Sequence, residues 1–141
     1  MWAAIGISDA AGWVWSGEFI PEFAAFVEKY PAGSEGFKNA SRVCLWFETF
    51  GTLYKHGLLS EELLFDWLAT DQVWERLKGF AVGLREGAGK PGLYENFEAM
   101  AAAQKGRKIG SRAKGLSIRK GPPLVVSWIE YYCLLLQRRV A

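Results

Sequence analysis

Four polar side chains stand near a junction between two helical patterns: Arg85, Tyr94, Asn96 and Glu98. A helix over this segment puts Tyr94 and Glu98 one turn apart on one face. With Arg85 reaching across, the set forms either a polar pocket or an inter-helix salt bridge and cap. Glu48 and Asp66 are carboxylates that could join it for acid–base work, although nothing in their spacing requires that. His56, the single histidine, precedes Gly57 at a helix end, where a cationic imidazole would interact favourably with the helix dipole. Cys44 and Cys133 are the only cysteines, both in apolar helical surroundings that suit reduced, buried thiols. They make neither a disulfide framework nor, with one histidine, a zinc site. The segment EGAGKPG has proline where a phosphate loop needs serine or threonine, and it follows a helix rather than a strand. It reads as a turn. No catalytic residue, cofactor or metal ligand is assigned.

The second chemical feature is a run of cations. Lys105, Arg107, Lys108, Arg112, Lys114, Arg119 and Lys120 fall within residues 105–120 with no acid among them. They could neutralise phosphates of nucleic acid or anionic lipid. No aromatic side chain is interleaved for base stacking. The plainer reading is a solvated linker that folds back on an acidic body. Residues 1–104 hold 8 Lys/Arg against 14 Asp/Glu, whereas residues 105–141 hold 9 Lys/Arg and only Glu130. Four glycines, at 106, 110, 115 and 121, oppose helix, so residues 105–121 read as a flexible basic linker.

The elements that must position these groups lie between residues 41 and 104. Val43, Trp46, Phe47, Phe50, Leu53 and Tyr54 follow the rhythm of one helical face, and Gly57 suits a left-handed stop. Ser60 is a good N-cap for a second helix, with Glu61 and Glu62 in its first turn and Leu63, Leu64, Trp67 and Leu68 as its buried face. Thr70 or Asp71 would cap a third, facing inward through Val73, Trp74, Leu77, Phe80, Ala81 and Leu84. A fourth turns Leu93, Phe97, Met100 and Ala101 inward. Short connections favour antiparallel neighbours. Gly51, at the edge of an apolar face, predicts close approach of another helix.

Several of these residues carry a resemblance. Phe47-Glu48, Gly51, Gly57-Leu58, Glu61-Glu62-Leu63, then Trp74, Leu77 and Arg85, then Leu93-Tyr94-Glu95-Asn96-Phe97-Glu98 resemble a family of uncharacterised, mostly bacterial helical proteins, a domain of unknown function. The likeness runs over residues 37–104. It implies an all-α fold and no activity. Many members look anchored in a membrane by an N-terminal span, and this chain departs from that pattern.

That departure lies in residues 1–17, which are apolar but broken by Asp9 and glycines and lack a basic leader. They fall short of the roughly 18 apolar residues of a span and are expected to pack on the helical body. Trp2, Trp13 and Trp15 would otherwise suit a lipid interface. Pro21 suits the first turn of a helix running to Tyr30. At the other end Pro122-Pro123 opens a last helix whose centre, residues 124–136, is apolar almost all round and too short to cross a bilayer.

The expected architecture is therefore all-α: a compact bundle of five or six helices over residues 1–104, a basic linker at 105–121, and an apolar C-terminal helix at 122–141. The expected role is a non-enzymatic module with a protein partner, located in the cytoplasm. An anionic membrane surface on its inner face is the alternative, and nucleic acid bound through the linker a further one.

Overall fold

The computed structural model describes residues 4–113 of the 141-residue chain. It contains six helices and, among the described residues, no strand: α1 (Ala4–Trp15), α2 (Phe23–Lys29), α3 (Glu35–Lys55), α4 (Glu61–Trp67), α5 (Thr70–Gly87) and α6 (Glu95–Ala113). The expected C-terminal helix, and with it Cys133, lies outside the described residues, as do Lys114, Arg119 and Lys120.

Helix α3 is the central element, packed on α1, α5 and α6, while α5 also meets α2 and α6. It begins where the Ser34 hydroxyl accepts the Phe37 N–H and ends at His56, after which Gly57 turns into the left-handed region at φ +68°. Along its buried face Ala40, Val43, Cys44, Phe47 and Gly51 follow helical spacing. A Cβ added at Gly51 would lie 2.5 Å from the Asn96 carbonyl, so α3 and α6 touch there backbone to backbone. Gly79 plays the same part in α5, where a Cβ would collide with the Pro21 carbonyl.

Two aromatic clusters fill the core. In one, Phe26 meets Phe80 at 5.0 Å and Phe80 meets Phe37 at 5.4 Å, with Trp13, Phe19 and Tyr30 around Phe26. In the other, Phe97 stacks on Phe47 at 4.9 Å and takes Trp74 edge-on at 5.0 Å. Each such pair contributes about 0.5–1.5 kcal/mol beyond its buried area. The N-terminal segment is tied on by Arg76, which donates to the carbonyls of Val14 and Ser16 at 3.0 and 3.1 Å and lies over the rings of Phe19 and Trp15. Those carbonyls at the end of α1 would otherwise be without partners.

Three expectations need correction. First, helix α6 does not stop at residue 104; it runs to Ala113, through the first part of the anticipated linker. Gly106 and Gly110 fall on its exposed side, where each costs about 1 kcal/mol. Against that, Lys108 bridges to Asp71 at 2.7 Å and Lys105 reaches Glu75 at 3.5 Å. Second, α4 buries only part of its apolar set: Leu64 and Leu68 turn inward, but Leu63 is 72% and Trp67 58% exposed. Successive helical residues are about 100° apart, so a seven-residue helix seated on Leu64 and Leu68 carries the Leu63–Trp67 row out to its flank. Third, neither Thr70 nor Asp71 caps α5. Ala69 occupies that position without a side-chain bond, and the cap comes from Gln104.

Candidate functional site

The polar residues singled out from the sequence gather at the start of α6, but in two separate sets. On one side the Arg85 guanidinium, on the last turn of α5, donates to the Leu93 carbonyl at 3.0 Å and to the Glu98 carboxylate at 2.9 Å. This pair clamps the turn of residues 88–94 against both helices. On the other side Glu48 of α3 takes the Asn96 amide at 2.7 Å and the backbone N–H of Phe97 at 2.8 Å. Asn96 also reaches Thr52 at 3.3 Å. The carboxylate thus does for α6 what an N-cap side chain does locally. Asp66 is exposed on α4 and His56 is exposed at the end of α3, and neither joins these groups.

Between them sits Tyr94, the residue before α6. It is buried at 8% exposure and has φ +60°, in the left-handed region. That conformation costs a bulky residue about 1–2 kcal/mol. Burial of the ring, on the order of 1.5–3 kcal/mol, is enough to hold it there. Burial, reinforced by Cys44 and Glu48 nearby, pushes the Tyr94 hydroxyl up to about 12. Burial, with a smaller contribution from Glu48, likewise pushes the Cys44 thiol far above its ordinary range. A thiol in that state is a core group rather than a nucleophile. The Glu48 oxygens are both engaged as acceptors. These groups stabilise a helix junction. A shallow pocket of about 360 Å³ beside Gly51, Tyr54, Glu95 and Asn96 is the concavity next to them. Among the described residues no three His, Cys, Asp or Glu side chains are grouped to hold a metal ion.

Lys105, Arg107 and Lys108 of α6 face the other end of the bundle. Besides the Lys105 and Lys108 pairs, Arg107 Nη1 lies 3.5 Å from the Glu61 carbonyl at the start of α4. Arg112 belongs to the last turn of α6.

An aromatic surface lies on α3 and α4. Trp46 packs on Phe50 at 4.4 Å, and both meet Trp67 edge-on, at 6.3 and 5.7 Å. Leu45 is 62% exposed on the same stretch of α3, and Leu63 precedes Trp67 by one turn. Where α1 approaches α3, a groove of about 500 Å³ runs past Ile7, Arg42, Leu45, Trp46 and Phe50. The sequence held a signal for this face: four large apolar residues on a seven-residue helix exceed what one inward stripe can hide.

Residues 14–104 match the family model described as a domain of unknown function, DUF4760. The chain belongs to this family. The matched region takes in α2 to α5 whole, and it closes on Gln104, the residue that caps α5. Both the Glu48 cap and the Arg85–Glu98 clamp fall inside it. No curated protein and no solved structure matches the chain.

Proposed function

We propose that this chain is a helical interaction module without catalytic activity, and that its working surface is the aromatic face of α3 and α4. The observation that carries this reading is the run of Trp46, Phe50 and Trp67 in mutual contact, the first two half-buried and Trp67 exposed, with exposed Leu45 and Leu63 beside it. A protein does not leave tryptophan and leucine together in water without cost, and tryptophan is enriched among the residues that dominate interface energetics. By contrast the polar groups of the α6 junction already satisfy one another.

The test is a surface variant, Leu45→Lys with Leu63→Lys and Trp67→Ser. These side chains are more than half exposed, so the melting temperature should stay within a few degrees. Specific partners retained by the native chain should be lost at matched concentration. An unchanged partner set from a folded variant overturns the reading.

A second reading, attachment to an anionic membrane surface, draws on Leu58, 70% exposed, close in sequence to the Leu63–Trp67 row, and on the cations of α6. Among the described residues no helix is long and apolar enough to cross a membrane, so attachment would be peripheral. Exposed Glu62 and Asp66, on the same short helix as Trp67, oppose it. Co-sedimentation with phosphatidylserine vesicles at low salt is required by this reading, and its absence removes it.

A further inference from the structure

We infer that the aromatic face of α3 and α4 is occupied in cis by residues 124–136 of this same chain, so that a partner must displace them. The inference rests on the interaction-surface reading above and names the resident of that surface.

Three observations converge. The first is chemical need. Residues 124–136 are apolar but for Ser127 and Glu130, and burying such a run is worth about 25 cal/mol per Å² of apolar surface covered. Among the described residues the large exposed apolar side chains are Leu45, Leu58, Leu63 and Trp67. Three of the four belong to this face.

The second is charge. The apolar run is bracketed by Arg119 and Lys120 before it and Arg138 and Arg139 after it. On α4 the exposed carboxylates Glu62 and Asp66 form the row next to Leu63 and Trp67. Arg42, at the far side of the groove, is already paired with Glu35 at 3.3 Å. An apolar segment with cationic ends therefore meets an apolar face with an anionic border. Anionic lipid would meet the same border with the wrong sign.

The third is reach. Arg107 lies against the first residue of α4, and Ala113 is six helical residues further on, about 9 Å. Residues 114–123 then separate Ala113 from the apolar run, and ten residues span up to about 33–36 Å when extended. The face is within range. A tether of this length sets a local concentration on the order of mM, far above that of a second copy at ordinary protein concentrations.

The experiment uses the full chain with Cys133→Ser and Ala141→Cys, carrying a nitroxide at position 141. Cys44, fully buried, stays unlabelled. The tryptophan indole N–H signals are read by nitrogen-15 NMR, before and after reduction of the label. The expected result is at least a two-fold loss of intensity for Trp67 and Trp46, with Trp13 unaffected. Adding Leu134→Glu and Leu135→Glu should restore both signals. Mixing labelled unenriched chain with unlabelled enriched chain should broaden neither. Absence of selective broadening overturns the proposal, as does broadening that survives the glutamates. Broadening confined to the mixed sample overturns it in favour of a second copy. If the surface variant described above loses its partners while no broadening is found, the interaction surface stands and the cis occupant falls. If that variant loses nothing, both fall.

Discussion

The carboxylate of Glu48 accepts the backbone N–H of Phe97 at 2.8 Å, so α6 is capped by a side chain 49 positions earlier in the chain. The residue that would ordinarily supply a cap, Tyr94, has a buried ring and a left-handed backbone instead. Glu48→Ala should therefore lower stability by about 2–3 kcal/mol, the range of a charge-assisted bond whose partner is left buried. Glu48→Gln, which keeps an acceptor oxygen, should cost about half as much. Urea midpoints at unchanged slope measure both.

Gln104 is 3% exposed and serves two helices. Its amide donates to the carbonyls of Leu68 and Phe65, at 2.6 and 3.2 Å, and its oxygen takes the Asp71 N–H at 3.0 Å. Gln104→Leu preserves bulk and strands these groups. A loss of about 3 kcal/mol is expected, and calorimetry should show it as a lower melting temperature.

Thr70 offers the opposite case. Its hydroxyl is buried and has no hydrogen-bond partner among the described residues. Thr70→Val removes the desolvated oxygen at similar shape, and should raise stability by about 1–2 kcal/mol. Chemical denaturation of the two proteins side by side decides it.

Alkaline pH should weaken the fold through Tyr94. Its hydroxyl titrates near 10.0 when the chain is unfolded and is pushed up to about 12 in the fold. The native state then holds a proton that the unfolded state releases. The stabilising contribution is complete below pH 10 and declines as pH rises from there towards 12, by at most about 1.4 kcal/mol per pH unit. Tyr94→Phe should flatten this part of the stability profile relative to the native chain, as followed by urea titrations at successive pH values.

The helical class and the inward faces of α3 and α5 were legible from apolar spacing. Gly57, Ser60 and Gly51 could be read because their roles are local or steric: a left-handed stop, a hydroxyl cap, a missing side chain at a contact. The Arg85–Glu98 pair could be read as a salt bridge or a pocket, and spacing alone did not separate the two. What escaped was long-range. Glu48 and Gln104 are ordinary helix formers with nothing nearby in sequence to mark them as caps for other helices. The exposure of Trp67 followed from how α4 is rotated on its neighbours, which its own seven residues do not determine. The extension of α6 past Gln104 is supported by Asp71 and Glu75, 37 and 30 residues away, drawing Lys108 and Lys105 onto α5.

The borrowed caps also bear on how the molecule opens. Because α5 begins on a side chain from α6, and α6 begins on one from α3, neither helix can fray from its first turn while the bundle stays closed. Amide hydrogens of Asp71 and Phe97 should exchange with solvent only on the timescale of whole-domain unfolding, although first-turn amides ordinarily exchange within moments. Cutting the chain between α3 and α6 would on this view yield fragments that do not start their own helices, and the body would melt as one unit rather than helix by helix.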